Sequence, residues 1–241
     1  MIQVVFFDLG STLIYAKDPW PDFFRLGDAA LVRVLRHAGI PLEAETFYKE
    51  YGTFLDQYYA HQAPENTTER TAFSVLREIL VEKGYPEIPD PILRSALGAL
   101  YAVTNRNWYI EEDAIPTLTG LRDTGYRLGL ISNTSDDSHV QLLVDENGLR
   151  PYFEFVITSA GFGIRKPDRR IFQAALDHFR VQPDAAVMVG DTLEADVLGA
   201  NGMGMYSVWI TRRAAGPNPA IAPKATVAAL HEIPALLESL R

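Results

Sequence analysis

Met1-Ile-Gln-Val-Val-Phe-Phe-Asp-Leu-Gly-Ser-Thr-Leu13 opens the chain with an apolar run that ends in a carboxylate. Residues 4–7 are typical of a buried strand, because four large apolar side chains follow one another without a break. Asp8 comes directly after this run, at the tip of the predicted strand. A carboxylate in such a place is a candidate nucleophile, and the rest of the chain is interpreted around it.

Short apolar runs recur along the chain, and most of them are followed by a helical pattern. Strands alternating with helices indicate a parallel sheet with helices on both faces, so we predict an α/β, doubly wound, Rossmann-like core. Thr192 is suited to begin one of the helices and Gly202 to end it. The predicted strands are 4–7, 128–131, 155–157, 186–189, 206–210 and 225–227, and the predicted helices are 138–146, 168–179, 193–200 and 234–240.

Residues 15–110 have a different character, because apolar residues recur there at a spacing near 3.6. Helices are predicted at 23–37, 44–59, 68–83 and 91–101, with breaks at Pro64 and at Pro86 to Pro89. We interpret this stretch as a helical cap domain inserted after the first strand. The predicted division is a core of residues 1–14 and 111–241 and a cap of residues 15–110.

Composition excludes several classes of protein. Apolar residues make up 47% of the 241 residues, which is enough for a sizeable core. The net charge of −9 without a basic block argues against nucleic-acid binding, and the lack of cysteine excludes disulfides and cysteine metal sites. The first apolar run is too short for a membrane span and lacks the basic residues of a signal peptide, so we expect a cytoplasmic protein.

Polar residues with chemical potential follow the predicted strands. Asp8 follows the first, Ser132 and Asn133 the second, Lys166 the third and Asp191 the fourth. In open parallel sheets, ligands bind outside the carboxyl ends of the strands. We therefore expect these residues to converge on one site, although they are far apart in the sequence.

Phosphoryl transfer is the chemistry that these residue types fit. An Asp carboxylate can attack phosphorus and form an aspartyl-phosphate, while Lys166 and a hard cation neutralise the transferring group. Asp8 and Asp191, with a backbone carbonyl, supply the oxygen ligands that Mg²⁺ prefers. Ser132 and Asn133 can donate hydrogen bonds to phosphate oxygens.

Four ordered motifs carry a family resemblance: FFDLGSTL, ISN, the Lys of RKPD, and GDTLEAD. With them the whole chain resembles the haloacid dehalogenase-like hydrolase superfamily, in the group whose helical cap follows the first motif. The resemblance implies that Asp8 is the nucleophile, Ser132 binds phosphate, Lys166 orients both, and Asp191 binds Mg²⁺. It also implies secondary roles for Asp196 and Thr12.

The chain departs from this family at Gly10, where phosphatases usually carry a second Asp as general acid and base. Glycine has no side chain that can transfer protons. Proton transfer by such a side chain contributes about 10²–10⁴-fold to the rate. The backbone carbonyl of that residue, which binds Mg²⁺ in the family, is retained. We therefore expect a metal site of Asp8, Gly10 and Asp191 without the usual proton donor.

The leading hypothesis is a Mg²⁺-dependent phosphatase of a small phosphorylated metabolite. A dehalogenase of the same superfamily is an alternative, because those enzymes also lack the second Asp. A phosphonate hydrolase is another, with Lys49 as its cap lysine. The remaining alternative is a catalytically weak or inactive member that binds a phosphate ligand or a partner. The structural alternatives are that Asp191 only caps a helix, instead of binding the metal, and that Asp196 is a solvated residue without its secondary role.

Overall fold

The computed structural model describes residues 1–60 and 66–241, with the side chains of residues 53–60 left aside. The chain forms two compact units. The α/β unit comprises Met1–Tyr15 and Tyr109–Arg241, and the helical unit comprises Ala16–Trp108. The break predicted at Pro64 lies outside the described residues.

The elements are numbered in chain order. The strands are β1 (Val4–Phe7), β2 (Ile14–Ala16), β3 (Trp108–Ile110), β4 (Arg127–Ser132), β5 (Phe155–Thr158), β6 (Ala186–Gly190), β7 (Tyr206–Ile210) and β8 (Ala225–Val227). The helices are α1 (Trp20–His37), α2 (Ala44–Ala60), α3 (Ala72–Glu82), α4 (Asp90–Thr104), α5 (Ala114–Asp123), α6 (Asp137–Glu146), α7 (Ser159–Phe162), α8 (Arg169–Phe179), α9 (Leu198–Met203) and α10 (Ile233–Ser239).

Six strands form one sheet in the order β5-β4-β1-β6-β7-β8, and each neighbouring pair is parallel. Strand β1 lies between β4 and β6, with Val4 opposite both Arg127 and Ala186. Helices flank this sheet, which confirms the predicted α/β Rossmann-like core. Because β1, β4 and β6 are adjacent and parallel, their carboxyl ends lie at the same edge.

Burial of alternate strand residues builds the core on the two faces of the sheet. Val4 and Phe6 pack with apolar residues of α8, and the Phe6 ring meets Phe179 edge-on at 5.3 Å between centroids. Phe7, the next residue of β1, contacts the ring of Phe153 at 6.4 Å. The strand that leads to Asp8 is thus anchored by large side chains along its whole length.

Some local predictions are wrong. The helix predicted at 193–200 is a π-helical turn, Leu193–Val197, followed by α9. Gly204, with φ of 83°, ends α9 in the left-handed conformation, whereas Gly202 lies inside the helix. The helix predicted at 68–83 is the shorter α3, because the Thr71 hydroxyl caps it by accepting the backbone N–H of Ser74. Strands β2 and β3, which pair with each other, and helix α5 had no counterpart in the prediction.

The helical unit has its own hydrophobic core. Its helices α1 to α4 bury aliphatic and aromatic residues at helical spacing, among them Leu31, Leu35, Leu76, Leu93 and Leu97. Asp28 is a polar exception in this unit, with only 3% of its surface exposed.

Nowhere in residues 1–60 and 66–241 is a helix both long and apolar enough to cross a bilayer.

Candidate active site

A cavity of about 300 Å³ lies at the carboxyl edge of the sheet, within the α/β unit. Every residue predicted for the site lines it except Thr12. The lining also includes Ser11, Arg165, Thr192 and Ala195. The predicted residues on its wall are Asp8, Gly10, Ser132, Asn133, Lys166, Asp191 and Asp196.

Lys166 is the centre of the polar contacts, with 3% of its surface exposed. Its Nζ donates to Asp8 Oδ1 at 2.7 Å, to Asp196 Oδ1 at 2.6 Å and to the carbonyl oxygen of Ile131 at 2.7 Å. An ammonium group has three N–H donors, so each donor of Lys166 has a partner. Burial would lower the pKa of Lys166, but the charges of Asp196 and Asp8 raise it above its ordinary value.

Asn133 holds the backbone of Lys166 from both sides. Its side-chain amide donates to the Lys166 carbonyl oxygen at 3.0 Å, and its side-chain oxygen accepts the Lys166 backbone N–H at 2.8 Å. The sequence predicts that the side-chain amide of Asn133 binds phosphate, and its contact with the Lys166 backbone was not predicted. The observed contacts tie the end of β4 to the Lys166 loop and give Asn133 a positioning role.

Asp191 follows β6 as Asp8 follows β1. Burial, together with the charges of Asp8 and Asp196, raises the pKa of Asp191 to about 7. The Thr12 hydroxyl lies 3.5 Å from Asp191 Oδ1, and the indole N–H of Trp209 donates to the Asp191 carbonyl oxygen at 2.8 Å. Trp209 comes from β7, the neighbouring strand, and is a support for this loop that the sequence analysis did not identify.

Asp196 lies in the π-helical turn and is 1% exposed. Its Oδ1 accepts from Lys166, and its Oδ2 accepts the backbone N–H of Thr192 at 3.1 Å. Burial raises the pKa of Asp196 to about 6, a shift that the charge of Lys166 opposes. Asp196 is therefore a buried partner of Lys166, and its reading as a solvated surface residue is wrong.

Asp8, Asp191 and Asp196 each place a carboxylate oxygen within 4.8 Å of the other two. Oxygen donors of this kind suit hard divalent cations. Because both oxygens of Asp196 accept hydrogen bonds from protein groups, Asp8 and Asp191 are the carboxylates best placed to hold such an ion, and the Gly10 backbone lines the same cavity.

Residues 2–204 match the model of the haloacid dehalogenase-like hydrolases, and the chain belongs to this family.

Relatives and a solved structure show what the chain is similar to. It is 30% identical over 220 residues to the glyceraldehyde 3-phosphate phosphatase of Methanothermobacter thermautotrophicus, covering 87% of this chain and 86% of that protein. It is 34% identical over 159 residues to the phosphoserine phosphatase of Thermus thermophilus, covering 66% and 62%. The fold matches a 2-haloacid dehalogenase from Pseudomonas syringae with a TM-score of 0.74, at 24% identity and full coverage of both chains.

Proposed function

We propose that this protein is a Mg²⁺-dependent phosphatase that hydrolyses a small phosphorylated metabolite through an aspartyl-phosphate on Asp8. The observation that carries the proposal is the contact between Asp8 and the buried Lys166, in a cavity that also holds Asp191. The two phosphatases to which the chain is similar, glyceraldehyde 3-phosphate phosphatase and phosphoserine phosphatase, support small phosphate esters as the substrate class.

In the proposed first step, a carboxylate oxygen of Asp8 forms a bond to phosphorus, and the bond between phosphorus and the leaving-group oxygen breaks. The leaving group departs with the electron pair of that bond and takes up a proton from solvent water. Lys166 holds Asp8 Oδ1 at 2.7 Å and so orients the carboxylate towards the cavity. Ser132, at the end of β4, presents its hydroxyl as a donor to the phosphoryl oxygens.

In the second step, water attacks the phosphorus of the aspartyl-phosphate. The bond between phosphorus and the Asp8 oxygen breaks, which releases phosphate and restores the carboxylate. Asp8 therefore ends the cycle as it began, and the net reaction is hydrolysis of one phosphate ester.

Asp8, Asp191 and the backbone carbonyl of Gly10 would hold Mg²⁺, with Asp196 adding negative charge and fixing Lys166. A divalent cation at this point supplies charge neutralisation for the dianionic phosphoryl group. The donor set fits, because two carboxylates and a carbonyl are hard oxygen ligands, to which water can be added.

Because Gly10 has no side chain, the site lacks the usual carboxylic acid that would protonate the leaving group. We propose that this favours substrates whose leaving groups need little protonation, such as acyl, aryl and anomeric sugar phosphates. The substitution affects the proton transfer alone, since the peptide carbonyl of Gly10 is retained.

The test is phosphate release from an aryl phosphate in the presence of Mg²⁺, by the wild-type protein and by Asp8→Asn. We expect Asp8→Asn to lose activity by at least about 10³-fold, because the amide cannot act as the nucleophile. Asp22→Asn, which changes an exposed carboxylate on α1, is the matched control and should leave the rate unchanged.

Two outcomes would contradict the proposal. Equal rates for Asp8→Asn and the wild type would exclude Asp8 as the nucleophile. Halide release from a haloacid in the absence of Mg²⁺, with no phosphate released from any ester, would favour the dehalogenase alternative.

A further inference from the structure

The peptide group between Asp191 and Thr192 is held by side chains at both of its polar ends. Its carbonyl oxygen, which belongs to Asp191, accepts the indole N–H of Trp209 at 2.8 Å. Its N–H, which belongs to Thr192, donates to Asp196 Oδ2 at 3.1 Å. A peptide group is planar, so the two hydrogen bonds together fix its orientation. They also restrain the backbone from which the Asp191 side chain extends.

The two bonds come from different elements of the α/β unit. Trp209 lies in β7, opposite Gly190, the residue just before Asp191. Asp196 lies in the π-helical turn and is buried. Trp209 and Asp196 thus form a clamp on this peptide group. Because Trp209 is part of a strand of the main sheet, it holds the Asp191 backbone more precisely than a loop residue would.

The site needs such a restraint because its carboxylates lie close together. Asp191 places an oxygen within 4.8 Å of oxygens of Asp8 and Asp196. Burial and the repulsion from these two charges raise the pKa of Asp191 to about 7. The hydrogen bond from the Thr12 hydroxyl to Asp191 Oδ1 is long, at 3.5 Å. The clamp acts on the backbone and resists displacement of the carboxylate by this repulsion.

We propose that Trp209 is a positioning residue for the divalent-cation site and acts through the Asp191 carbonyl oxygen. This inference rests on the proposed phosphatase function, because Asp191 is a ligand of Mg²⁺ in that proposal. A ligand that is already in place costs less free energy to order when the cation binds. Trp209 therefore raises the affinity of the site for Mg²⁺, although it is not among the described residues that line the cavity.

Preorganisation of this kind distinguishes between divalent cations. Mg²⁺ demands near-ideal octahedral geometry, whereas Ca²⁺ accepts a more variable arrangement of oxygen ligands. Loss of the Trp209 hydrogen bond should therefore weaken Mg²⁺ binding more than Ca²⁺ binding. General destabilisation of the fold would weaken the binding of both cations to the same extent.

The test measures Mg²⁺ and Ca²⁺ binding by calorimetry in the wild type, in Trp209→Phe and in Trp209→benzothienylalanine. The benzothienyl ring has the shape of indole but carries sulfur in place of the N–H, so it removes the donor and keeps the packing. We expect the dissociation constant for Mg²⁺ to rise by about 3- to 10-fold in both variants, the value of one uncharged hydrogen bond. The dissociation constant for Ca²⁺ should change by less than about 2-fold.

Trp20→Phe is the matched control, because it makes the same change in α1. Trp20 contacts the aromatic rings of Phe24 and Trp108 instead of a backbone carbonyl, and its substitution should leave the binding of both cations unchanged. Asp191→Asn removes the ligand itself and should weaken Mg²⁺ binding more than either variant of Trp209.

Unchanged Mg²⁺ binding in both Trp209 variants would overturn the inference and leave the proposed function standing, provided that Asp191→Asn loses affinity. Equal weakening of Mg²⁺ and Ca²⁺ binding would also overturn it, because Trp209 would then only stabilise the fold. An effect in Trp209→Phe alone would assign the loss to packing and would overturn it as well. Equal Mg²⁺ binding by the wild type and Asp191→Asn would instead contradict the metal site of the proposed function, and the inference would fail with it.

Discussion

At the scale of single residues, the contacts of one nitrogen atom organise the pocket. Lys166 Nζ connects the end of β1 through Asp8, the end of β4 through Ile131 and the π-helical turn through Asp196. The sequence predicted that Lys166 and Asp8 would converge on one site, because both follow strands of the same parallel sheet, and the family resemblance implied that Lys166 orients Asp8. The sequence could not predict that all three N–H donors of Lys166 would have partners, since this depends on distances of a few tenths of an ångström between loops.

Gly10→Asp introduces the carboxylic acid that the family resemblance leads us to expect in the first motif. The φ angle of Gly10 lies outside the left-handed region, so an aspartate can adopt this backbone conformation. We expect turnover of alkyl phosphates, whose leaving groups need protonation, to rise by about 10-fold or more, and turnover of aryl phosphates to change little. Steady-state rates with an alkyl and an aryl ester check this prediction.

Ser11→Asp, one residue further along the same cavity wall, is the matched control for the added charge. It should not raise the rate on alkyl phosphates. The same rate on alkyl phosphates for Gly10→Asp and the wild type, in a protein that keeps its melting temperature, would contradict the role assigned to the missing carboxylic acid.

At the scale of elements, the sequence predicted the strands of the main sheet well and the short connecting elements poorly. Strands β1 and β6 are buried throughout, and β4 is buried after its first residue, Arg127, so the apolar pattern alone marks them. Strands β2 and β3 are three residues long and form a separate two-stranded sheet, which leaves too short a pattern to detect. The end of α9 was misplaced because Gly202 and Gly204 both offer a glycine, and only the backbone conformation distinguishes them.

Gly190, the last residue of β6, allows the π-helical turn to bring Asp196 close to the sheet. A Cβ atom at Gly190 would overlap the carboxylate carbon and Oδ2 of Asp196. We expect Gly190→Ala to displace Asp196 from Lys166, to lower kcat by at least about 10-fold and to reduce stability by about 1–3 kcal/mol. Aryl phosphatase rates and thermal unfolding measure the two effects.

Gly202→Ala is the matched control, since a Cβ there meets nothing within 4 Å and α9 favours alanine. It should keep the wild-type rate and leave stability the same or raise it. If Gly190→Ala kept both rate and stability, the close approach of Asp196 to the strand would not be needed for the site.

Asp28, in α1, makes the stability of the protein depend on pH. Burial raises the pKa of Asp28 to about 7 from the ordinary 3.8, so the folded protein binds a proton there between these values while the unfolded chain does not. The free energy of unfolding therefore falls as the pH rises from about 4 to about 7 and is constant above. The full shift in the pKa of Asp28 corresponds to a loss on the order of 4 kcal/mol in the free energy of unfolding at high pH.

Asp28→Asn cannot ionise and should remove this penalty. We expect the variant to be more stable than the wild type at about pH 8, with a smaller gain at about pH 5.5. Thermal unfolding of both proteins at the two pH values is the measurement, and Asp22→Asn, an exposed residue of the same helix, should show no such pH-dependent gain. A gain of equal size at both pH values would contradict the assignment.

At the scale of the whole molecule, residues from distant parts of the chain form one cavity. Asp8 and Lys166 are 158 residues apart, yet their side chains touch because β1 lies in the middle of a parallel sheet. This arrangement explains why the order of the motifs was enough to predict the α/β core and most of the cavity lining. Arg165 and Trp209 were not found, because an arginine in a loop and a tryptophan in a strand are common without any role in a site.

The central claim is that Asp8 carries the phosphoryl group during turnover. Its most direct test is a single-turnover reaction with an aryl phosphate labelled in the phosphoryl group, quenched with acid and followed by peptide mapping. The label should appear on the peptide that contains Asp8 in the wild type, before phosphate is released, and should be absent from Asp8→Asn. Release of labelled phosphate without labelling of that peptide at any time, or labelling of another residue, would contradict the claim.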